Sequence, residues 1–128
     1  MSEPPKPIGS VAWTDLTVPD ADRVRDFYVA VAGWTSMGLD MGGYEDYVMQ
    51  GPDGEPVAGV CHARGVNEGM PPQWIVYVTV TDLDGRLERC RALGGSVLIG
   101  PKPMGKGRYA VIRDPAGAAF ALVEQEPA

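Results

Sequence analysis

The sequence predicts an α+β fold built from two tandem βαβββ modules, and two observations support this prediction. A strand-like segment is followed directly by an amphipathic helical segment twice, at 10–33 and at 74–95, with Val18 and Val80 in equivalent positions. Each half also has a proline-containing turn signal between two strand-like segments, at 51–54 and at 114–117. Because a pattern that recurs along a chain indicates a repeated unit, both halves are predicted to share one topology.

The first module is predicted at residues 10–62 and begins with a strand at 10–18, in which apolar and polar residues alternate. The helix that follows begins near Asp20, a residue type favoured at N-caps, and ends at Gly33. Three strands are predicted after it, at 34–37, 44–50 and 57–62, with a glycine-rich turn at 38–43. The apolar stripe of the helix is predicted to be Ala21, Val24, Phe27, Tyr28 and Val31.

The second module is predicted at residues 74–125 and opens with the strand WIVYVTV at 74–80. Asp82 is the expected N-cap of its helix, and Gly94-Gly95 is the expected stop. The buried stripe of this helix is predicted to be Leu83, Leu87, Cys90 and Leu93. Further strands are predicted at 96–99, 109–113 and 118–124, with a loop at 101–108. Residues 1–9 are expected to be a flexible lead-in and residues 63–73 a linker within one domain.

Composition and charge exclude several classes of function. A formal net charge of −6 disfavours nucleic acid. Such an acidic balance commonly serves solubility alone, and it would also suit a cationic ligand. No run of about 18 apolar residues is present, so a membrane-spanning helix is not expected. The N-terminus lacks the features of a secretory signal, and a cytoplasmic location follows as the default. In that compartment the two cysteines, Cys61 and Cys90, are expected to be reduced.

The duplicated module and its motifs resemble the vicinal oxygen chelate superfamily. The resemblance lies in Val18, Asp20 and Phe27-Tyr28 around the first helix, the Ala-Leu-Gly-Gly end of the second helix and the closing Asp-Pro-Ala-Gly turn. This superfamily includes glyoxalase I, bleomycin-resistance proteins, extradiol dioxygenases and methylmalonyl-CoA epimerase. The resemblance implies a cupped mixed sheet with the helices outside, a ligand held in the cup between the two modules, and a homodimer.

The resemblance also implies where a metal would bind in metal-using members: on the first and last strand of each module. Carried over to this chain, these positions fall on Trp13, Ala58, Ile75 and Ala121, none of which can bind a metal. The chain has a single histidine, His62, so an imidazole-rich site is excluded. We therefore predict no metal and no cofactor.

The same carry-over predicts which strand residues face the cup, because side chains alternate between the two faces of a sheet. Cys61 would then face the helix. Asp15 and His62 stand out as the polar residues of this face, able to act as base and acid or to anchor a ligand. Alternatively, neither residue has a role in the site: Asp15 forms hydrogen bonds with the backbone, and His62 is exposed to solvent. The predicted ligand-binding residues are Trp13, Asp15, Thr17, Ala58, Val60, His62, Ile75, Tyr77, Thr79 and Ala121.

Three functions follow from these features. The first is a metal-independent protein that binds a small aromatic or cationic molecule, in the manner of drug-sequestering members of the superfamily. The alternative is an enzyme of the superfamily, a lyase, isomerase or dioxygenase, with an unconventional site that uses Asp15 and His62. A regulatory or accessory domain with a vestigial cup is the third. No nucleic acid, membrane or cofactor is expected as a partner.

Overall fold

A computed structural model describes residues 7–125 of the 128-residue chain. This part of the chain forms two compact units: residues 13–74, and residues 75–125 together with the segment up to Ala12. Most of the predicted lead-in, residues 1–6, lies outside the described residues. Its last residue, Gly9, donates its backbone N–H to Thr79 O at 2.7 Å within the second unit. Between residues 7 and 125, no helix is long and apolar enough to cross a membrane.

The first module has the predicted βαβββ order. Its strands are arranged β2-β3-β4-β1 across the sheet, with β1 and β4 parallel and the other neighbours antiparallel. A short 3-10 helix lies in the segment that was predicted as a linker. The elements are β1 (Val11–Val18), α1 (Ala21–Ala32), β2 (Thr35–Asp40), β3 (Glu45–Gln50), β4 (Pro56–His62) and the 3-10 helix (Gly65–Asn67).

The second module repeats this order. Its strands are arranged β5-β8-β7-β6, with β5 and β8 parallel and both hairpins antiparallel. The α+β class and the two tandem βαβββ modules are therefore confirmed. The elements are β5 (Trp74–Val80), α2 (Leu83–Ala92), β6 (Ser96–Met104), β7 (Gly107–Arg113) and β8 (Ala119–Glu124).

Helix α1 buries a narrower stripe than its sequence predicts. Ala21 is fully buried against the sheet, and Val24 and Tyr28 pack around the same core. Phe27 and Val31, which complete the predicted stripe, are instead 55% and 67% exposed. Both residues lie at the edge of the helix surface that packs against the sheet.

The two helix starts also differ from each other. Asp82 caps α2 as predicted, and its side chain accepts a hydrogen bond from the N–H of Gly85 at 3.3 Å. Asp20 occupies the equivalent position before α1 but makes no capping hydrogen bond. At the far end of α2, Leu93 lies past the last helical residue and is 76% exposed, so its predicted place in the buried stripe is wrong.

Two strands run further than predicted. The first, β2, continues through Gly38 to Asp40, and β6 continues to Met104 into the predicted loop. Each extension is paired with a neighbour, Leu39 with Asp46 and Lys102 with Tyr109. Ladder pairing thus outweighs the weak strand preference of glycine and proline in these segments.

Strand β4 differs from the prediction in the direction of its side chains. The pairing of β3 with β4 shifts by one residue between Met49 and Gln50, which is a β-bulge. The corresponding hairpin of the second module pairs without a shift. Because one extra residue moves all later side chains to the opposite face, Ala58 and Val60 pack against α1. Their predicted orientation, away from the helix, is wrong.

Candidate functional site

A cavity of about 300 Å³ lies on the face of the first module opposite α1. Strand β1 contributes Trp13 and Asp15, and β4 contributes Gly59 and Cys61, in the register that pairs Asp15 with Gly59. Its walls are mostly apolar, with a few polar groups, which is the usual composition of a small-molecule pocket. The remaining lining residues are Leu39, Met41, Asp46, Tyr47, Val48, Val66 and Asn67.

Asp15 lies half-buried in the cavity wall. The indole N–H of Trp13 donates to Asp15 Oδ1 at 2.5 Å. Burial raises the pKa of Asp15, the Trp13 hydrogen bond opposes this effect, and the charge of Asp46 adds to it. Gly59 makes the arrangement possible, since a Cβ at that position would clash with Asp15 Oδ1. A nearby positive charge would therefore favour the ionised form of Asp15.

Asp46 is the second carboxylate on the wall, and it is 3% exposed. Its Oδ1 accepts the backbone N–H of His62 at 2.8 Å and lies 3.4 Å from His62 Nδ1. The side-chain amide of Asn67 donates to its Oδ2 at 3.5 Å. These donors hold the carboxylate in place at the start of β3.

Cys61 lines the same cavity, and its predicted orientation toward the helix is wrong for the reason given for β4. Burial raises the pKa of the Cys61 thiol, and the charges of Asp15 and Asp46 raise it further. The thiol is therefore protonated near neutral pH and is a poor nucleophile. Cys90 is a free thiol as well.

His62 lies beside α1, away from Asp15. It belongs to the same row of β4 as Ala58 and Val60, and its Nε2 is 3.5 Å from Asp22 Oδ1 at the start of α1. The ring packs edge-on against Tyr44, with 5.5 Å between centroids. The structure therefore does not bring Asp15 and His62 together as an acid–base pair. His62 contacts the cavity wall through Asp46, which it bonds with its backbone N–H.

The other predicted ligand-binding residues have varied positions. Thr17 is buried and pairs with Cys61. Ala58 and Val60 are core residues of the first module. Ile75, Tyr77, Thr79 and Ala121 are buried residues of the second unit and do not line the cavity described above. Whether any of the ten residues contacts a ligand stays a prediction.

The sequence reasoning missed several cavity residues: Leu39, Met41, Asp46, Val48, Val66 and Asn67. Alternation along β3 offered a signal for two of them, since Asp46 and Val48 share one face of the strand. The others lie on the edge strand β2, near its end or in the segment after β4, where no periodicity applies.

The part of the chain that the structure describes contains no group of three or more His, Cys, Asp or Glu side chains placed to hold a metal ion. The four positions carried over from metal-using proteins, including Trp13 and Ala58, hold no ligating side chain. The bulge makes Gly59 the β4 residue that faces the cavity, and glycine has no side chain to offer. A metal site on the expected pattern does not fit these residues.

Comparison with known proteins gives the family. Residues 10–122 match the model of the Glyoxalase/Bleomycin resistance protein/Dioxygenase superfamily. The chain belongs to this superfamily. The resemblance seen in the sequence motifs is thereby confirmed.

Two groups of curated relatives are similar in sequence. The chain is 36% identical over 127 residues to the anthracycline biosynthesis protein DnrV of Streptomyces peucetius, covering 89% of this chain and 46% of that protein. It is also 36% identical over 120 residues to a Mycobacterium tuberculosis protein named "Putative glyoxylase CFP32", covering 89% of this chain and 45% of that protein. The chain thus spans about half the length of these relatives.

Solved structures share the fold. Methylmalonyl-CoA epimerase from Mycobacterium tuberculosis aligns with a TM-score of 0.53 at 19% identity, over 93% of this chain and 89% of that chain. A superfamily member from Vibrio splendidus aligns with a TM-score of 0.55 at 12% identity, over 88% of this chain and 97% of that chain. At these identities the likeness supports the fold and carries no statement about activity.

Proposed function

We propose that this protein binds a small molecule with an apolar, aromatic body and a cationic group in the cavity of its first module, without a bound metal. The observation that carries the proposal is the composition of that cavity. Two carboxyl groups, Asp15 and Asp46, lie on a wall that is otherwise mainly apolar. Such a wall matches a ligand that is apolar over most of its surface and positively charged at one point.

An aromatic body is supported by the side chains around the carboxyl groups. Trp13 offers an aromatic surface, and Leu39 and Met41 offer flexible apolar contacts from the edge of the module. The name of the relative DnrV, which places that protein in anthracycline biosynthesis, also supports an aromatic guest.

A cationic group is supported by the electrostatics of the wall. A cation near Asp15 would restore the charged form that burial disfavours, so the guest and the carboxylate stabilise each other. Asp46 adds a second negative charge, already fixed by the N–H groups of His62 and Asn67. The net charge of −6 attracts cations at longer range.

The two free thiols fit the reducing cytoplasm expected from the sequence.

Calorimetric titration with a permanent cation tests the proposal. N-methylacridinium is expected to bind at least about tenfold more tightly than the neutral N-methylacridone, because only the cation pairs with the carboxylates. Asp15→Asn and Asp46→Asn are each expected to weaken cation binding by about tenfold and to leave the weak binding of the neutral compound unchanged.

Two controls complete the experiment. Glu88→Gln removes an exposed charge on α2 and is expected to leave the affinity unchanged. Dialysis against EDTA is likewise expected to change nothing, since the proposed site uses no metal. Equal affinity for the two compounds would reject the cationic guest, and loss of binding after EDTA treatment would reject metal independence.

One observation favours an enzyme as a second candidate. The raised pKa of Asp15 makes it a plausible proton carrier inside an apolar cavity. In that case the guest is converted chemically by the wild-type protein and not by Asp15→Asn. Mass spectrometry of the small molecule after incubation would detect the conversion, and an unchanged compound supports binding alone.

A further inference from the structure

We infer that His62 is a positioning residue that sets the charge which Asp46 presents to the cavity, so that binding of a cation is coupled to loss of a proton from His62. This inference rests on the proposed function of the cavity. His62 itself does not line the cavity. It acts through Asp46, whose carboxylate it contacts with both its backbone N–H and its ring.

The imidazole of His62 lies between two carboxylates. Nδ1 is 3.4 Å from Asp46 Oδ1, and Nε2 is 3.5 Å from Asp22 Oδ1. A neutral imidazole carries one N–H and can donate to only one of them, whereas an imidazolium donates to both. Both contacts are therefore favourable together only when the ring is protonated, and the attraction between the ring and the two carboxylates weakens when the proton leaves.

The three side chains connect the cavity wall with the surface. The Asp46 side chain is 4% exposed, that of His62 is 15% exposed and that of Asp22 is 63% exposed. A proton can thus enter and leave at the Asp22 end, in contact with water. Its electrostatic effect is felt at Asp46, where the surroundings are apolar and charges are weakly screened.

Other charged and titratable side chains also surround His62. From α1, the Arg25 guanidinium lies over the Tyr47 ring at 4.4 Å, and the Tyr47 hydroxyl donates to Asp22. That hydrogen bond raises the pKa of Tyr47 to about 12. On the other side Tyr44 lies under the guanidinium of Arg64 at 4.0 Å.

Two more titratable groups lie on the cavity side, Asp15 and Cys61. Burial keeps the Cys61 thiol protonated by raising its pKa. The raised pKa of Asp15 moves its titration upward from its ordinary acid range, so a pH response from Asp15 must be separated from that of His62. Histidine is the residue type whose side chain ordinarily exchanges a proton near neutral pH, and the coupling is therefore assigned to the imidazole.

The consequence for binding follows from linkage. When the imidazole is neutral, Asp46 has lost its positive partner, and the cavity wall is one unit more negative. A cation then binds more tightly, and by reciprocity its binding promotes loss of the proton. The affinity for a cation should therefore rise with pH through the titration of His62.

The test uses N-methylacridinium, whose charge does not change over the range measured. Between about pH 5.5 and about pH 8.5 the wild-type affinity is expected to rise about three- to tenfold. In His62→Gln, which keeps the backbone N–H to Asp46 and has no ring proton, this rise is expected to disappear. Any response that remains in His62→Gln and is abolished by Asp15→Asn belongs to Asp15. Calorimetry in buffers of different ionisation enthalpy should show proton release by the wild type and none by His62→Gln.

A second measurement needs no ligand and uses the fact that the chain has one histidine. The proton NMR titration of the His62 ring is expected to move to lower pH in Asp22→Asn and in Asp46→Asn, because each loses an anion beside the ring. Glu88→Gln is the control, expected to titrate as the wild type. Asp22 is exposed, so its variant keeps the fold even if Asp46→Asn does not.

The outcomes separate the two proposals. If the cation fails to bind the wild type at every pH, the binding function is rejected and the coupling with it. If the cation binds with the same affinity at both ends of the pH range, or if His62→Gln keeps the wild-type pH response, only the role of His62 is rejected. An unchanged ring titration in Asp22→Asn would also overturn the coupling.

Discussion

Gly59 has no side chain, and this leaves the space that the carboxyl group of Asp15 occupies in the cavity wall. It faces Asp15 across the β1–β4 pair, and an added Cβ would clash with Asp15 Oδ1 and crowd the Trp13 indole nitrogen at 3.4 Å. We expect Gly59→Ala to weaken N-methylacridinium binding by about tenfold and to lower the free energy of unfolding by about 1–3 kcal/mol. Calorimetric titration and urea unfolding measure the two effects.

Gly51→Ala is the matched control for this change. A Cβ there would lie 3.3 Å from Asp53 Oδ1 and 3.8 Å from Val57 Cγ1, away from the carboxyl groups of the cavity. Its affinity for the cation should equal that of the wild type. If Gly59→Ala also bound the cation normally, Asp15 would have to be placed by something other than the space at Gly59.

Individual site residues were predictable where alternation applied without interruption. Trp13 and Asp15 on β1 both line the cavity, and alternation along β1 had assigned them to one face once the resemblance to the superfamily fixed the register. Asp46 was not recognised, because a pair of acidic residues at a strand start is usually solvated. Its role depends on donors from His62 and Asn67, which are 16 and 21 residues away in the chain. Residue periodicity within one strand does not predict hydrogen bonds to residues so far along the chain.

Element-scale prediction failed mainly at β4. The turns at 51–54 and 114–117 are similar, with Gly54 bonded to Gly51 and Gly117 bonded to Asp114. Counting the same number of residues from the start of each turn made Ala58 the predicted equivalent of Ala121. The bulge opposite Met49 and Gln50 uses one extra residue, so the pattern must be counted from Gly59 instead. A bulge leaves no reliable signal in the sequence, since it depends on how two strands fit.

In the second module a single carboxylate joins β7, β8 and α2. Glu124 accepts the N–H of Leu83 at 3.1 Å at the start of α2 and pairs with Arg108 at 3.2 Å, and Arg108 in turn pairs with Asp84. The Arg108 hydrogen bond, and then the Leu83 N–H, lower the pKa of Glu124. A carboxyl whose folded-state pKa is lowered stabilises the fold above its ordinary pKa, and this contribution is lost as pH falls through the folded value.

Urea unfolding of Glu124→Gln tests this link between elements. At about pH 6 the variant is expected to be less stable than the wild type by about 1 kcal/mol, because an ion pair and a charged acceptor are lost. At a second pH, taken below the lowered folded-state pKa of Glu124, the difference should largely vanish, since the wild-type carboxyl is then protonated. Glu88→Gln, without such partners, should show no pH-dependent difference. A constant deficit at both pH values would assign the effect to packing instead.

At the scale of the whole chain, the fold was the most predictable property. The same β-then-α pattern appears twice, and each copy was found where the sequence placed it, with β5 and α2 within two residues of prediction. The duplicated plan depends on the hydrophobic periodicity of the two strand-then-helix segments, 10–33 and 74–95. The two modules nevertheless differ in the residues at the position of the proposed site. Asp15 and Gly59 pair in the first, and Tyr77 and Ala121 occupy the corresponding pair in the second.

Membership of the superfamily leads to a prediction about assembly. The resemblance to this superfamily implies that two chains pair, and we therefore expect a homodimer. Light scattering after size exclusion should give about twice the chain mass of 13.6 kDa at micromolar concentration. Because assembly depends on concentration, dilution should eventually give the single-chain mass, and a mass of one chain at every concentration would contradict the prediction.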